Sequence, residues 1–357
     1  MASRARLDRR LHVALVAPPF VRVPPEGYGG TELVVADLAE ALVSFGHRVT
    51  LFATGDSAVS GCEVRWLFRR PLWPPEPVAE WNHAVFAAHE AAEVGASVIH
   101  SNVPALVALA GSTAPMVHTV HHPADRTLWR HYRAHPFVRY VAISARQAEL
   151  SEEAWVRPPA VVHHGLNVDR YPAGEGEAGD ALFLGRLDEV KAPHLALMAA
   201  REAGLGLRIA GRPHEGDYFE RVLGPELRRG GGQLIGEVGG EAKTRALGSA
   251  RVLLFTSVWE EPFGLAAIEA MLCGTPVVAL RRGALGETVE PGTTGVLVDR
   301  PEDLPAAIRR ALSLSRAKVR ERARERFSAE RMALGYLAAY REALELDRWP
   351  ARAELQA

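Results

Sequence analysis

Residues 251–280 read RVLLFTSVWEEPFGLAAIEAMLCGTPVVAL, and the order of signals in this run decides the fold. The apolar stretch 252–256 ends in a polar loop, as a strand buried on both faces should. A helical segment then opens at Pro262-Phe263-Gly264, and a second apolar run at 276–279 completes a strand–helix–strand unit. Pro262 suits a first helical position because its ring presets φ and its missing N–H would have no helical partner, so the helix is expected to open near Phe263. The N–H groups of Phe263, Gly264 and Leu265, backed by the positive end of the helix dipole, would then face an anion above the strand's carboxyl end. Gly264 has no Cβ to hold that anion away. Glu261 and Glu269 flank this helix start eight residues apart, a rise of roughly 12 Å if helical. One carboxylate would reach a sugar and the other a ribose diol.

The same alternation of strand and helix runs through the chain twice. Strands are expected at 12–17, 48–53, 98–100, 116–120, 140–143 and 161–163, then at 181–184, 207–210, 233–235, 252–256, 276–279 and 295–298. The clearest helix is 31–45, stopped by Gly46. The fold class is therefore α/β, with two Rossmann-like doubly wound parallel-sheet domains facing a cleft. The first domain is placed at 1–168. Residues 169–180, within NVDRYPAGEGEAGD, form the linker, and 181–328 form the second domain. Residues 301–327 read as one helix, and 329–347 as a further helix that belongs to a segment, 329–357, returning to the first domain.

Composition narrows the function. The 357 residues are 48% hydrophobic and carry a net charge of only −1, so no basic field exists to bind nucleic acid. Two cysteines, Cys62 and Cys273, provide neither a disulfide framework nor a metal cluster and fit a reducing cytoplasm. The basic residues 4–10 before the apolar run 11–17 are not expected to form a signal peptide, since His12 and Pro18-Pro19 interrupt the run and no small-residue cleavage site follows. No stretch is apolar for long enough to cross a membrane. The basic run 309–327 is expected to be a solvated helical face, and any membrane contact to be peripheral at most. The loop 65–82, where Trp and Arg alternate among prolines, is a candidate acceptor-facing surface.

Three further constellations lie where strands end. Glu26-Gly27-Tyr28-Gly29-Gly30-Thr31 follows the first strand, and Gly29, Gly30 and Thr31 would bring backbone N–H groups to phosphate or sugar oxygens. Asp56 after the second strand raises a dinucleotide reading, but the loop is long and lacks the third glycine of that fingerprint. Gly185-Arg186-Leu187-Asp188-Glu189-Val190-Lys191 leaves the first strand of the second domain. Arg186 can fork onto a diphosphate, and Lys191 adds a compact charge. Lys191 is one of three lysines against 39 arginines. His121, at the end of the strand in PMVHTVHHP, points from a carboxyl end toward the expected cleft. The neighbouring histidines do not have zinc-ligand company, and no Asp-x-Asp metal motif appears.

Taken together, GYGGTE, Thr119-Val120-His121, GRLDEVK and EPFGLAAIE followed by AMLCGTPVVA resemble the family 4 retaining glycosyltransferases of the GT-B fold over nearly the whole chain. Within them, GYGGTELVVADLAEALVSFGHRVTLFATGDS and TVHHPAD look most like the avilamycin-type antibiotic oligosaccharide subgroup. The resemblance implies a nucleoside-diphosphate sugar held mainly by the second domain. Glu269 would take the ribose, Arg186 and Lys191 the diphosphate, and Glu261 with the backbone at 263–265 the sugar hydroxyls. His121 would reach the sugar, and the base would pack near Arg212 and 236–238, including Val238. The sequence departs from the family pattern at Ala192, where glycine is usual, and in placing Asp188 and Glu189 beside the phosphate clamp.

These readings imply a metal-independent glycosyltransferase with no cofactor beyond its nucleotide-sugar co-substrate. The acceptor would be a small molecule, an oligosaccharide or a lipid-linked hydroxyl. Transfer on the same face through an oxocarbenium-like state is expected, because no carboxylate is placed by motif for double displacement. Removing Glu261, Lys191 or Arg186 should abolish most transfer with little loss of fold. The alternatives are a nucleotide-sugar epimerase of the same fold, an NAD-dependent enzyme and a non-catalytic nucleotide-sugar-binding protein.

Overall fold

The computed structural model describes residues 10–346 except 112, 113, 124 and 215. The basic residues 4–9 and the terminal residues 347–357 lie outside the described residues. The chain divides into two compact units, one running to Leu166 and resuming at Ala329, the other Asn167–Ser328.

The first unit is built on β1 (His12–Val16), β2 (Arg48–Phe52), β3 (Glu63–Arg65), β4 (Val98–Ser101), β5 (Met116–Val120), β6 (Arg139–Ala142) and β7 (Ala160–Val161). All pair in parallel, in the order β3-β2-β1-β4-β5-β6-β7. Burial explains why the central strands were legible: Val13, Leu15, Val49, Leu51, Val98 and Val117 are all out of water, on strands covered on both faces. The edge strand β3 carries Glu63 and Arg65 and has no apolar run by which it could be expected. Helix Gly30–Ser44 turns Val34, Val35, Leu38 and Leu42 inward and is followed by Gly46 at φ 84°, the left-handed position that ends a helix. The last helix, Ala329–Leu346, is fixed to this unit by buried polar bonds as well as apolar packing. Tyr340 Oη lies 2.8 Å from His100 Nδ1, and Tyr336 Oη lies 2.9 Å from Thr119 Oγ1.

The second unit has β8 (Ala181–Leu184), β9 (Leu207–Ala210), β10 (Gly232–Gly236), β11 (Val252–Phe255), β12 (Val277–Leu280) and β13 (Gly295–Val298), all parallel, in the order β10-β9-β8-β11-β12-β13. Its core joins Phe183, Leu207, Ile209 and Leu254 to Leu197 and Ile308 on the covering helices. Residues 169–180, expected as a linker, are bonded into this unit: Gly174 N–H donates to Cys273 O, Gly176 N–H to Gly248 O and Ala178 N–H to Ser249 O. The segment 301–327 is not one helix. It forms Leu304–Ala311 and Arg316–Arg326, with Ser315 capping the second through the N–H of Lys318. Nor is its basic run simply solvated. Arg316 donates to the carbonyls of Gly174, Gly248 and Ala250 and to Thr275 Oγ1, and Arg320 donates to Leu272 O.

Candidate functional site

In a doubly wound sheet, ligands sit beyond the carboxyl ends of the two strands where the order reverses. In the second unit those strands are β8 and β11, and the loops leaving them are stitched together. Val258 N–H donates to Val190 O at 2.9 Å, and Thr256 Oγ1 reaches the carbonyls of Lys191 and Ala192 at 3.2 and 2.9 Å. Gly211, after β9, passes so close to the first loop that a Cβ there would stand 1.9 Å from Gly185 O.

This stitching brings two expected site residues into contact. Lys191 Nζ lies 2.6 Å from Glu261 Oε2, with both side chains largely buried. The ammonium also sits 5.4 Å from the Phe255 ring centroid and 5.3 Å from that of Trp259, within cation–π range. Glu261 accepts further bonds from Trp259 Nε1 at 2.8 Å and Ser257 Oγ at 3.3 Å. Asp188 has a structural job here: Oδ1 accepts the N–H of Lys191 at 2.9 Å, while Oδ2 lies 3.0 Å from Arg186 Nε as an ion pair without hydrogen-bond alignment. The acid thus shapes the loop that presents both cations.

The helix start differs from expectation. The helix is Leu265–Leu272, not one opening near Phe263, and Gly264 is its N-cap in the left-handed conformation (φ 89°). Pro262 precedes the helix and does not occupy its first turn, so the 12 Å helical rise between Glu261 and Glu269 does not apply. The N–H groups offered by the helix begin at Leu265, with those of Phe263 and Gly264 in the loop before it.

Glu269 is buried within the helix and is engaged by two residues that the sequence reading did not single out. Its Oε1 lies 2.5 Å from Lys243 Nζ and accepts from Tyr171 Oη at 3.0 Å. Two of the chain's three lysines therefore each hold one glutamate of the pair, and the scarcity that drew notice to Lys191 would have found Lys243 as well. Arg212 is exposed and lies 3.6 Å from Glu237, close in sequence to Val238.

In the first unit the strands at the reversal are β1 and β4. Gly29 (φ 155°) is the N-cap of the helix Gly30–Ser44, which places Gly30 and Thr31 in its first turn. A Cβ on Gly29 would stand 2.8 Å from Pro25 Cβ, so only glycine fits. Asp56, the residue of the dinucleotide reading, accepts a bond from Thr54 Oγ1 at 2.6 Å. His121 follows β5, with Nε2 2.8 Å from Asn102 Oδ1 and its ring stacked on His164 at 5.3 Å. Desolvation, then the neighbouring His164, lowers its pKa well below the ordinary value, so the ring is neutral. The segment 65–82, expected as a loop, is one only in part, since 77–82 belong to the helix Pro77–Glu93; its Trp66, Trp73 and Trp81 are exposed. Both thiols are pushed up to about 12 by burial and are inert. Among the described residues no three of His, Cys, Asp and Glu are grouped to hold a metal ion, and no helix is long and apolar enough to cross a membrane.

Two family models match consecutive stretches of the chain: Glycosyltransferase Family 4 over residues 28–170 and Glycosyl transferases group 1 over residues 173–326. The chain belongs to these glycosyltransferases. A D-inositol 3-phosphate glycosyltransferase of Rhodococcus erythropolis is 31% identical over 278 residues, which are 64% of this chain and 63% of that relative's length. AviGT4, a glycosyltransferase involved in avilamycin A biosynthesis, superposes with a TM-score of 0.73 at 26% identity, covering 94% of this chain and 98% of that one. Anabaena HepE, solved in complex with UDP-glucose, superposes with a TM-score of 0.72 over 93% of this glycosyltransferase and 100% of HepE. At 19% identity that likeness is one of fold. The two units are the paired Rossmann-like domains of the GT-B fold.

Proposed function

We propose that this glycosyltransferase moves a sugar from a nucleoside diphosphate to an acceptor hydroxyl with retention and without a metal. The observation that carries the reading is the Lys191–Glu261 pair at the carboxyl ends of β8 and β11. A nucleotide sugar needs a cation for the leaving phosphate and a hydroxyl acceptor for the adjoining sugar within one bond of each other. Arg186 and Lys191 take the diphosphate, Glu261 and the backbone of Phe263, Gly264 and Leu265 take the sugar hydroxyls, and Glu269 takes the ribose. Arg212 and Val238 border the base. From the first unit, Gly29, Gly30 and Thr31 offer backbone donors and His121 serves the sugar.

In the step itself the bond from the anomeric carbon to the phosphate oxygen breaks and a bond to the acceptor oxygen forms on the same face. The acceptor's proton passes to the departing phosphate. The cations stabilise charge on that phosphate, a contribution whose loss costs roughly 10²- to 10³-fold in rate. No cofactor takes part. The likeness to AviGT4 supports an oligosaccharide acceptor of the antibiotic type, alongside small-molecule and lipid-linked hydroxyls. A cytoplasmic site of action, with membrane contact peripheral at most, suits two free thiols.

The test is a thermal-shift panel of UDP, GDP, dTDP and ADP, with NAD as the contrast, followed by turnover of the matching sugar nucleotide and determination of the product's anomeric configuration. Release of nucleoside diphosphate with retention supports the proposal. Sugar inversion at a ring carbon without release identifies an epimerase, binding without turnover a sensor, and a shift with NAD alone a dehydrogenase.

A further inference from the structure

We infer that Asn102 is a positioning residue that holds His121 as the Nε2–H tautomer, on a backbone that Gln147 fixes at both sides, so that its Nδ1 accepts a hydrogen bond from a sugar hydroxyl and does not donate one.

The argument is one of proton counting. Asn102 is buried beyond β4, and both its backbone N–H and its Nδ2 donate to the carbonyl of Val16, each at 3.0 Å. A carbonyl has no proton to give, so the amide nitrogen must face it and Oδ1 must face His121. Oδ1 is also a pure acceptor, and Nε2 lies 2.8 Å from it, so Nε2 carries the ring proton. A second proton is opposed by desolvation of the buried ring, and the stacked His164, whose own pKa burial pushes down to about 3, is neutral and offers no charge to stabilise it. The lone pair is therefore on Nδ1.

Gln147 fixes the chain on either side of the same residue. Its Oε1 accepts the N–H of Ile143 at 2.9 Å, which turns Nε2 toward two carbonyls. These are Val120 O at 3.0 Å and His122 O at 2.8 Å, the groups flanking His121. Gln147 is buried on the helix Ala145–Leu150, so this helix holds the backbone at His121 while the loop after β4, tied to β1 through Asn102, holds the ring. A histidine with only a packing role needs neither a defined tautomer nor amides on its ring and on both adjoining carbonyls.

The hydroxyl contact rests on the proposed function, while the tautomer does not, and the experiment separates them. Histidine-labelled ¹⁵N protein, read by long-range imidazole correlation, should show His121 with Nε2 protonated and Nδ1 bare. Asn102→Leu should mix the tautomers and lower kcat about tenfold, the scale of one misdirected hydrogen bond, with little change in donor KM. Asn102→Asp, which still accepts from Nε2, should keep the tautomer. The activity readout is release of nucleoside diphosphate from whichever of UDP-, GDP-, dTDP- or ADP-glucose the wild type turns over. A wild-type ring protonated on Nδ1, or an unchanged tautomer in Asn102→Leu, overturns the inference, and the wild-type spectrum suffices if that variant does not fold. Full activity in His121→Ala instead removes the hydroxyl contact.

Discussion

Lys191 and Glu261, 70 residues apart, share an ion pair of 2.6 Å beneath the rings of Phe255 and Trp259. Each was expected to act on the donor and to be removable with little loss of fold. The pairing changes the second half of that expectation, because a buried charge deprived of its partner keeps its desolvation cost. Glu261 would retain Trp259 and Ser257 as donors, so Lys191→Ala should cost about 2–3 kcal/mol in urea unfolding, below the full penalty for a bare buried ion. The double variant Lys191→Met/Glu261→Gln should be more stable than either single change implies. Strictly additive losses would show that the two groups are not coupled.

Ala192 has φ 48° and ψ 52°, and among the described residues no other non-glycine has positive φ. It is buried, caps the helix Pro193–Glu202 and receives Thr256 Oγ1 on its carbonyl, so the surroundings impose the conformation. An L-residue pays about 1–2 kcal/mol there, and glycine returns part of the gain through its freer unfolded chain. Ala192→Gly should therefore stabilise the protein by up to about 1 kcal/mol and leave turnover unchanged. A lowered melting temperature would mean that the strain is absent.

The fold was legible where burial leaves an apolar run. Strands β5, β8, β9 and β13 fall on the expected residues because each is a short hydrophobic stretch between polar loops. Strand β3 was not, since an edge strand of Glu63, Val64 and Arg65 meets water and has no pattern to show. The helix start after Pro262 was misplaced because a left-handed glycine cap looks the same in sequence as a glycine in the first turn. Lys243 and Tyr171 escaped notice for another reason: they meet Glu269 from segments 26 and 98 residues away, and no local rule reports such contacts. Asp188, read as a departure from the phosphate clamp, has its purpose only in three dimensions, bonded to the backbone of Lys191.

Glu32, in the first turn of the helix Gly30–Ser44, is buried, and desolvation raises its pKa from 4.5 to about 7 against the weaker opposing effect of its own N–H. Below pH 4.5 the carboxyl is protonated whether the chain is folded or not. Between 4.5 and 7 the unfolded chain ionises while the folded one keeps its proton, so stability falls as pH rises through this window and levels off above it. The loss amounts to about 3 kcal/mol at most. Glu32→Gln should match the wild type near pH 4 and exceed it at pH 8. Parallel stability curves for the two proteins would locate the proton elsewhere.

Gly283 supports Glu261 from behind. Its φ is 55°, its N–H donates to Glu260 Oε2 at 3.1 Å, and the next residue, Ala284, donates to Glu261 O at 2.8 Å. A Cβ on Gly283 would stand 2.2 Å from both the N and the O of Glu261, which are backbone atoms that cannot swing aside. Gly292 provides the matched control, with φ 77° and nothing within 4 Å of an added Cβ. Left-handed strain should cost each of Gly283→Ala and Gly292→Ala about 1–2 kcal/mol of stability, and the backbone clash should make the loss in Gly283→Ala the larger. Only Gly283→Ala must also displace the loop that carries Glu261 toward Lys191, so it alone should lose about tenfold or more in kcat/KM for the donor. Equal turnover in the two variants would mean that the loop yields without moving the carboxylate, and that Glu261 is held by Lys191, Trp259 and Ser257 alone.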